Sequence, residues 1–330
     1  MGMRRRTFLR SAAIAVVAIS PAVRAQQLRR KPVIGYLGLA SAEAFSRQVE
    51  DFRQGLAGQG FTEGSNIEIE YRWAGGDGAK LPMLAQELVR LKVDVISTAG
   101  GGKPMLAAAA ATKTIPIVSS SATPNIATLA RVQSNVTGAG TQTADLNPKR
   151  LELLHMAMPE AVVIAALDNP AGYPTPERKA ELAKGMVDAA ALLKVRLVTI
   201  NADKATDFDD AFAHIGGSGA GALLVMSSPF FFAEHPRIVA LANRSRLPAI
   251  YEWADIARNG GLMAYGDSVH ALYRRAGDYV GRVLKGSKPA DLPIDVPPKI
   301  GLTINLNTAQ EIGFTFPPGF RDRAEEVIEG

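Results

Sequence analysis

Short, mainly apolar runs that lead into small hydroxyl residues recur along this chain, each followed by a helical stretch. Residues 93–99 (VDVISTA) lead through an Ala-rich segment into Ile115-Pro116-Ile117-Val118. Residues 222–228 (ALLVMSS) lead through a second helical stretch into Leu247-Pro248-Ala249-Ile250. A continuous Val/Ile/Leu run of this length suits a strand covered on both faces, as in a parallel sheet. Strands alternating with helices indicate βαβ units. The same module in both halves of a 330-residue chain predicts an α/β protein of two doubly wound parallel-sheet lobes.

The rest of the chain carries the same alternation. Strands are expected at 32–37, 66–71, 93–98 and 116–119, and again at 162–167, 196–200, 222–226 and 248–251. Phe45, Val49, Phe52 and Leu56 recur at helical spacing, and Gly58 and Gly60 stop that helix. Further helices are expected at 81–91, 105–112, 176–193, 207–214 and 236–244. Asn147 is placed to cap a helix whose first residue is Pro148.

The N-terminus obeys a different pattern. A basic head (MGMRRRTFLR), an apolar run at 12–19 and the small-residue end Val23-Arg24-Ala25 have the form of a cleavable signal peptide over residues 1–25. Arg5-Arg6-Thr7-Phe8-Leu9-Arg10 resembles a twin-arginine export address, with an ordinary export signal as the alternative. The apolar run is too short to span a bilayer, which takes about 20 residues. The whole chain has 37 basic and 32 acidic residues. Residues 1–25 hold five arginines and no acid, so the remainder carries 32 of each and has no net charge. A nucleic-acid partner needs a basic surplus, so none is expected. The chain has no cysteine, which excludes a lipid-anchored mature N-terminus, thiolate metal sites and a thiol nucleophile. A soluble periplasmic product, unanchored and monomeric, is the expectation.

In open α/β sheets, ligands bind beyond the carboxyl ends of the strands. Those ends hold Ser41, Thr98-Ala99-Gly100-Gly101-Gly102 and Ser119-Ser120-Ser121-Ala122-Thr123 in the first half. In the second they hold Asp168-Asn169, Ser227-Ser228 and Tyr251-Glu252. Chemistry-bearing motifs fail there. Gly100-Gly101-Gly102-Lys103 lacks the first glycine and the final hydroxyl of a phosphate loop, since Ser97 and Pro104 stand in their places. The run 216–221 (GGSGAG) precedes a strand instead of following one, so it reads as a helix end and turn. His155, His214, His235 and His270 share no metal-ligand spacing, and no nucleophile elbow surrounds Ser119-Ser120-Ser121. The aromatics Phe230-Phe231-Phe232, Tyr251, Trp253 and Tyr265, with Trp73 in the first half, either pack the loops onto the core or wall a pocket. The acidic run Asp207, Asp209, Asp210 is read as a helix start and its solvated face.

Several stretches together resemble a known family. They are residues 60–72 (GFTEGSNIEIEYR), Asn135-Val136-Thr137-Gly138, 247–251 (LPAIY), 261–266 (GLMAYG), 281–293 (GRVLKGSKPADLP) and 304–309 (INLNTA) with Ile312-Gly313. Their order and spacing are similar to those of ABC-transporter substrate-binding proteins, in the family that includes tryptophan and tyrosine binders. The resemblance implies a type I periplasmic-binding fold with a ligand held between two lobes. It implies a first lobe of 31–140 plus 267–295 and a second of 141–266, with crossings near 137–141 and 266–268. It also implies that 296–330 returns to the hinge and first lobe. Family-like pocket positions fall on Ser41, Thr98, Ser121 and Thr123, and on Asn169, Ser227, Glu252 and Tyr265. Thr123-Pro124-Asn125 stands where amino-acid binders commonly carry Thr-Asp-Pro, so an aspartate that could meet an α-amino group is missing.

The function this implies is non-enzymatic and cofactor-free. A small amino acid, organic acid or aromatic compound is captured and delivered to ABC permease membrane subunits. An exported sensor or scavenger without a permease, and an exported α/β enzyme, are the alternatives.

Overall fold

A computed structural model describes residues 30–141, 144–297 and 300–330. The signal-like residues 1–25 lie outside the described residues.

Among the described residues, five strands form a parallel first sheet: β1 (Val33–Gly38), β2 (Glu68–Trp73), β3 (Val95–Ala99), β4 (Ile117–Ala122) and β5 (Val136–Thr141). Their spatial order is β2-β1-β3-β4-β5. Side chains alternate between the two faces of each strand. On β1 and β3, Ile34, Tyr36 and Val95 pack on one face, where Phe52 and Leu56 of helix α1 (Ser46–Gly58) join them. Leu37 and Ile96 pack on the other, beneath Leu88 of α2 (Leu81–Arg90), Met105 of α3 (Gly102–Ala111) and Ile126 of α4 (Thr123–Val132).

The second sheet follows in the chain. Helix α5 (Asn147–Ala157) precedes β6 (Val163–Asp168), and α6 (Pro176–Leu193) precedes β7 (Arg196–Asn201). Thr175 caps α6, its hydroxyl accepting from the Arg178 amide at 3.3 Å, with Pro176 in the first turn. Then come α7 (Phe208–Gly217), β8 (Ala222–Val225), α8 (Pro229–Ala233), α9 (His235–Arg244) and β9 (Ala249–Tyr251). The glycine run that closes α7 forms the expected helix end and turn, with Gly219 at φ 74°. Short α10 (Ala254–Arg258) and β10 (Met263–Gly266) come next.

Helix α11 (Val269–Leu284) leaves the second sheet and packs against α1 on the first. Chain return is absolute there: a Cβ on Gly277 would stand 2.1 Å from the Phe52 carbonyl oxygen, and one on Gly55 2.0 Å from that of Arg274. Only glycine lets the two helix backbones touch.

The C-terminal segment departs from expectation. It does not return to the first lobe. β11 (Gly301–Asn305) pairs antiparallel with β10, helix α12 (Leu306–Ile312) follows, and β12 (Glu326–Ile328) pairs parallel with β11. The second sheet therefore runs β12-β11-β10-β9-β8-β6-β7. The physical reason lies in β10, whose outer edge would otherwise present unpaired backbone groups. Leu302 and Ile304 of β11 cover that edge and bury themselves in the same core as Ile164, Leu224 and Met263.

Asn147 is a second correction. It opens α5, but its side chain caps nothing; the cap position is Leu146, without a side-chain hydrogen bond. The Asn147 carboxamide is engaged elsewhere, as described next.

Candidate ligand-binding site

The carboxyl ends of the two sheets face each other across a cavity of about 120 Å³. From the first sheet come the Gly100–Gly102 turn beyond β3, Ser120 and Ser121 on β4, and Thr141 closing β5. From the second come Asn169 beyond β6, Ser227 and Ser228 beyond β8, and Glu252 with Trp253 beyond β9. Tyr173 and Pro174, from the stretch ahead of α6, add a further wall, as do Phe45 ahead of α1 and Tyr273 on α11. Apolar and aromatic walls with a few placed polar groups are what a small-molecule pocket requires.

The polar groups are mostly committed to each other. Ser120 Oγ donates to the Thr98 carbonyl at 2.8 Å. Asn169 Oδ1 accepts from Ser228 Oγ at 2.9 Å, while its Nδ2 donates to Asp203 at 2.8 Å and to the Ala202 carbonyl at 3.1 Å. Tyr173 donates to Asp168 at 2.7 Å. Ser121 differs: its hydroxyl is buried, at 2% residue exposure, and has no partner. A buried hydroxyl left unpaired costs about 1–3 kcal/mol, which a ligand group can recover.

Glu252 is the carboxylate among the residues lining the cavity, 6% exposed and accepting from the indole N–H of Trp253. Burial raises its pKa to about 7 against the opposing pull of Arg150, Ser227, Trp253 and the Ser228 amide. Arg150 lies beneath the cavity at 0% exposure. Its guanidinium donates to the Tyr265 carbonyl at 2.8 Å, Asn147 Oδ1 at 2.7 Å, Ser227 Oγ at 2.9 Å and the Glu252 carbonyl at 3.2 Å. Burial lowers its pKa to about 10, so it stays cationic at neutral pH. One side chain thus ties α5 to the loops after β8 and β9 and to β10 itself. Tyr273 has its phenol pushed up by burial, with Ser120 and the Gly100 backbone acting the other way.

Of the positions expected from sequence, Ser121, Asn169, Ser227 and Glu252 line this one cavity. Ser41 does not. It turns its hydroxyl to the Ala44 amide at 3.3 Å and lines a neighbouring hollow instead. Thr98 sits inside β3, paired with Leu37 and Ser119, and is wholly buried behind Ser120. Tyr265 packs its ring on the second core and contributes only its carbonyl, to Arg150. The Thr123 side chain lies outside the described residues.

The aromatics divide. Phe232 and Trp253 line the cavity in an edge-on pair 6.2 Å apart. Phe230 and Phe231 pack on Phe208, Tyr251 is core, and Trp73 stacks on Tyr71 at 6.1 Å. Sequence reading missed Phe45, Tyr173, Tyr273 and Arg150. Among the described residues, no cluster of three or more His, Asp or Glu side chains is placed to hold a metal, and no helix is long and apolar enough to cross a membrane.

Comparison with known proteins places this architecture. The chain is 24% identical over 288 residues to the tyrosine-binding protein of Clostridioides difficile (strain R20291), covering 86% of this chain and 81% of that one. An ABC domain in complex with L-Trp from Streptococcus pneumonia superposes with a TM-score of 0.76 at 23% identity, covering 91% of this chain and all of that one. A conserved domain protein from Vibrio cholerae matches with a TM-score of 0.76 and 23% identity, over 90% of this chain and all of that one. Solved structures of a leucine-binding protein from Thermotoga maritima (TM-score 0.57, 12% identity, 77% of this chain and 83% of that one) share the type I periplasmic-binding fold. The profile for ABC transporter substrate binding proteins matches residues 34–328, and the chain belongs to that family.

Proposed function

We propose that the protein is the solute receptor of an ABC importer. It captures one small organic molecule between its lobes and presents it to membrane permease subunits, catalysing no reaction. It acts outside the cytoplasm after export, as an unanchored monomer. Ser121, Asn169, Ser227 and Glu252 are the ligand-facing positions, with Phe232, Trp253 and Tyr273 as walls. The observation that carries this reading is the cavity itself: its lining comes from the strand ends of both sheets, so a ligand there touches both lobes at once. A ligand making contacts only in the closed form shifts the population toward it.

The test is a thermal-shift screen against amino acids, small organic acids and aromatic compounds, with hits measured by calorimetry. A ligand that binds only the folded protein raises its melting temperature. A binder present at one site per chain, weakened by Ser121→Ala, supports the reading. Consumption of a compound with no stoichiometric binder would sink it.

A further inference from the structure

Charge is distributed unevenly around the cavity. The described lining from the first lobe offers only neutral polar groups: Ser120, Ser121, Asn125, Thr141 and the Gly100–Gly102 backbone. The second lobe supplies two charged side chains to the lining, Arg178 and Glu252. Arg178 is committed, its guanidinium donating to Glu181 at 2.7 Å and to Asp145. Arg150 bonds the Glu252 carbonyl from beneath and does not line the cavity, and its pull on the Glu252 carboxyl is outweighed by burial. Among the described lining residues, a ligand carboxylate therefore meets no cation that is not already held by carboxylates. A ligand cation meets Glu252.

The rings beside that carboxyl favour a cation as well. Phe45, Tyr173, Phe232, Trp253 and Tyr273 reach the cavity from five separate stretches of chain. Phe232 and Trp253 form one edge-on pair, and Phe45 and Tyr273 form another with centroids 5.9 Å apart. The face of an aromatic ring attracts a cation within about 6 Å, more strongly where water is excluded. The indole N–H of Trp253 donates to Glu252, which fixes ring and carboxyl together. A carboxylate has about four acceptor sites, so the indole leaves room for a ligand donor. On the other lobe, the unpaired Ser121 hydroxyl suits a neutral oxygen or nitrogen of the same ligand.

We propose that the ligand is a small organic monocation, its charged nitrogen held between Glu252 and the aromatic rings and a neutral polar group held at Ser121. Glu252 is then the residue that selects the charge of the solute. The proposal rests on the receptor reading and narrows it to amines and quaternary ammonium compounds without a carboxylate. A charge-assisted contact of this kind separates a cation from its neutral isostere by about tenfold or more. Capture is also linked to a proton. Burial holds the Glu252 carboxyl up at about 7, and a bound cation favours its ionised form. Affinity for a cation of fixed charge therefore rises as pH climbs toward 7 and levels off above it. The groups around Glu252 do not reproduce this profile. Arg150 and Arg178 stay cationic, and burial keeps the phenols of Tyr173 and Tyr273 neutral. Asp145 and Glu181 are paired with Arg178, Asp168 accepts from the Tyr173 phenol at 2.7 Å, and His235 bonds the Phe232 carbonyl; none of these four lines the cavity.

The test is a panel of small ammonium compounds that keep their charge from about pH 5 to 8, choline and tyramine among them. Each is measured by calorimetry beside a neutral isostere and a carboxylate analogue: dimethylbutanol for choline, hydroxyphenylpropionate and tyrosine for tyramine. Full-length wild type is compared with Glu252→Gln, which keeps the size and an acceptor oxygen, and melting temperatures check that both are folded. In wild type, a cation should bind at one site per chain and about tenfold or more tighter than its isostere. Glu252→Gln should level the two while leaving the isostere little changed. Cation affinity should climb about tenfold or more between pH 5 and 8 in wild type and stay flat in the variant. The proposal is overturned by a wild-type profile without that climb, by a cation that Glu252→Gln holds equally well, or by a panel in which only anions or zwitterions bind. Any of these leaves the receptor reading intact, whereas a protein that binds nothing in this panel or in the thermal-shift screen loses both.

Discussion

Glu252 and Arg150 are a buried carboxyl and a buried guanidinium, at 6% and 0% exposure, and the balance between them has a pH signature. An ordinary glutamate titrates at 4.5, whereas burial lifts Glu252 to about 7. The folded state therefore binds a proton that the unfolded state has released between those two values. Stability contributed by this group is present in full below about pH 4.5, falls as pH rises toward 7, and is level above that. At about 1.4 kcal/mol per unit, the change is on the order of 3 kcal/mol. Glu252→Gln has no such titration, so its stability relative to wild type should rise by about that amount between pH 4.5 and 8. Urea titrations of both proteins across this range check it; parallel curves would contradict the assignment. Arg150→Met removes a buried cation together with its hydrogen bonds to Tyr265, Asn147, Ser227 and Glu252, and should cost about 3–5 kcal/mol at pH 7 by the same measurement. Glu252 could be read from sequence because it follows an apolar strand, where ligand positions concentrate. Arg150 could not, because all its hydrogen-bond partners named above except Asn147 lie 77 to 115 residues away and a helical arginine reads as solvent-facing.

The elements were legible where one periodicity sufficed. The spacing of Phe45, Val49, Phe52 and Leu56 gives α1, and the run from Pro176 gives α6 (Pro176–Leu193) at both ends. Helix α4 and strands β10, β11 and β12 were not read. β10 and β12 span only four and three residues, and β12 is half-buried throughout, too short for a period to show. The pairing of α1 with α11 was invisible to periodicity because it joins segments more than 200 residues apart. Its requirement is nonetheless local. Gly277→Ala places a methyl on the Phe52 backbone, and Gly55→Ala does the same at Arg274. Each should lower unfolding free energy by about 3 kcal/mol, the upper end for overpacking, since backbone yields less than side chains do. Gly58→Ala on the same helix α1 should be neutral. Chemical denaturation of the three variants decides the matter, and a neutral Gly277→Ala would show that the helices do not touch as described.

At the scale of the whole molecule, two doubly wound lobes follow from the repeated strand–helix module, but the destination of the last 30 residues does not. An antiparallel strand added to a parallel sheet leaves no mark in a strand as short as the five residues of β11. Removing residues 321–330 deletes β12 and re-exposes the edge of β11. That variant should lose melting temperature and gain a tendency to self-associate, seen by light scattering. The order of segments carries a consequence for biosynthesis. Strands β1–β5 come off the ribosome well before α11, which completes their cover, and β6–β10 well before β11 and β12. The first lobe is unfinished when its strands have been made, and the second lacks its last two strands until the end of the chain. The chain is obliged to keep both half-built until nearly its last codon, with a raw strand edge on β10 as the final vacancy. A force-sensing arrest peptide fused at successive lengths should register no full folding signal until residues 301–328 have cleared the exit tunnel.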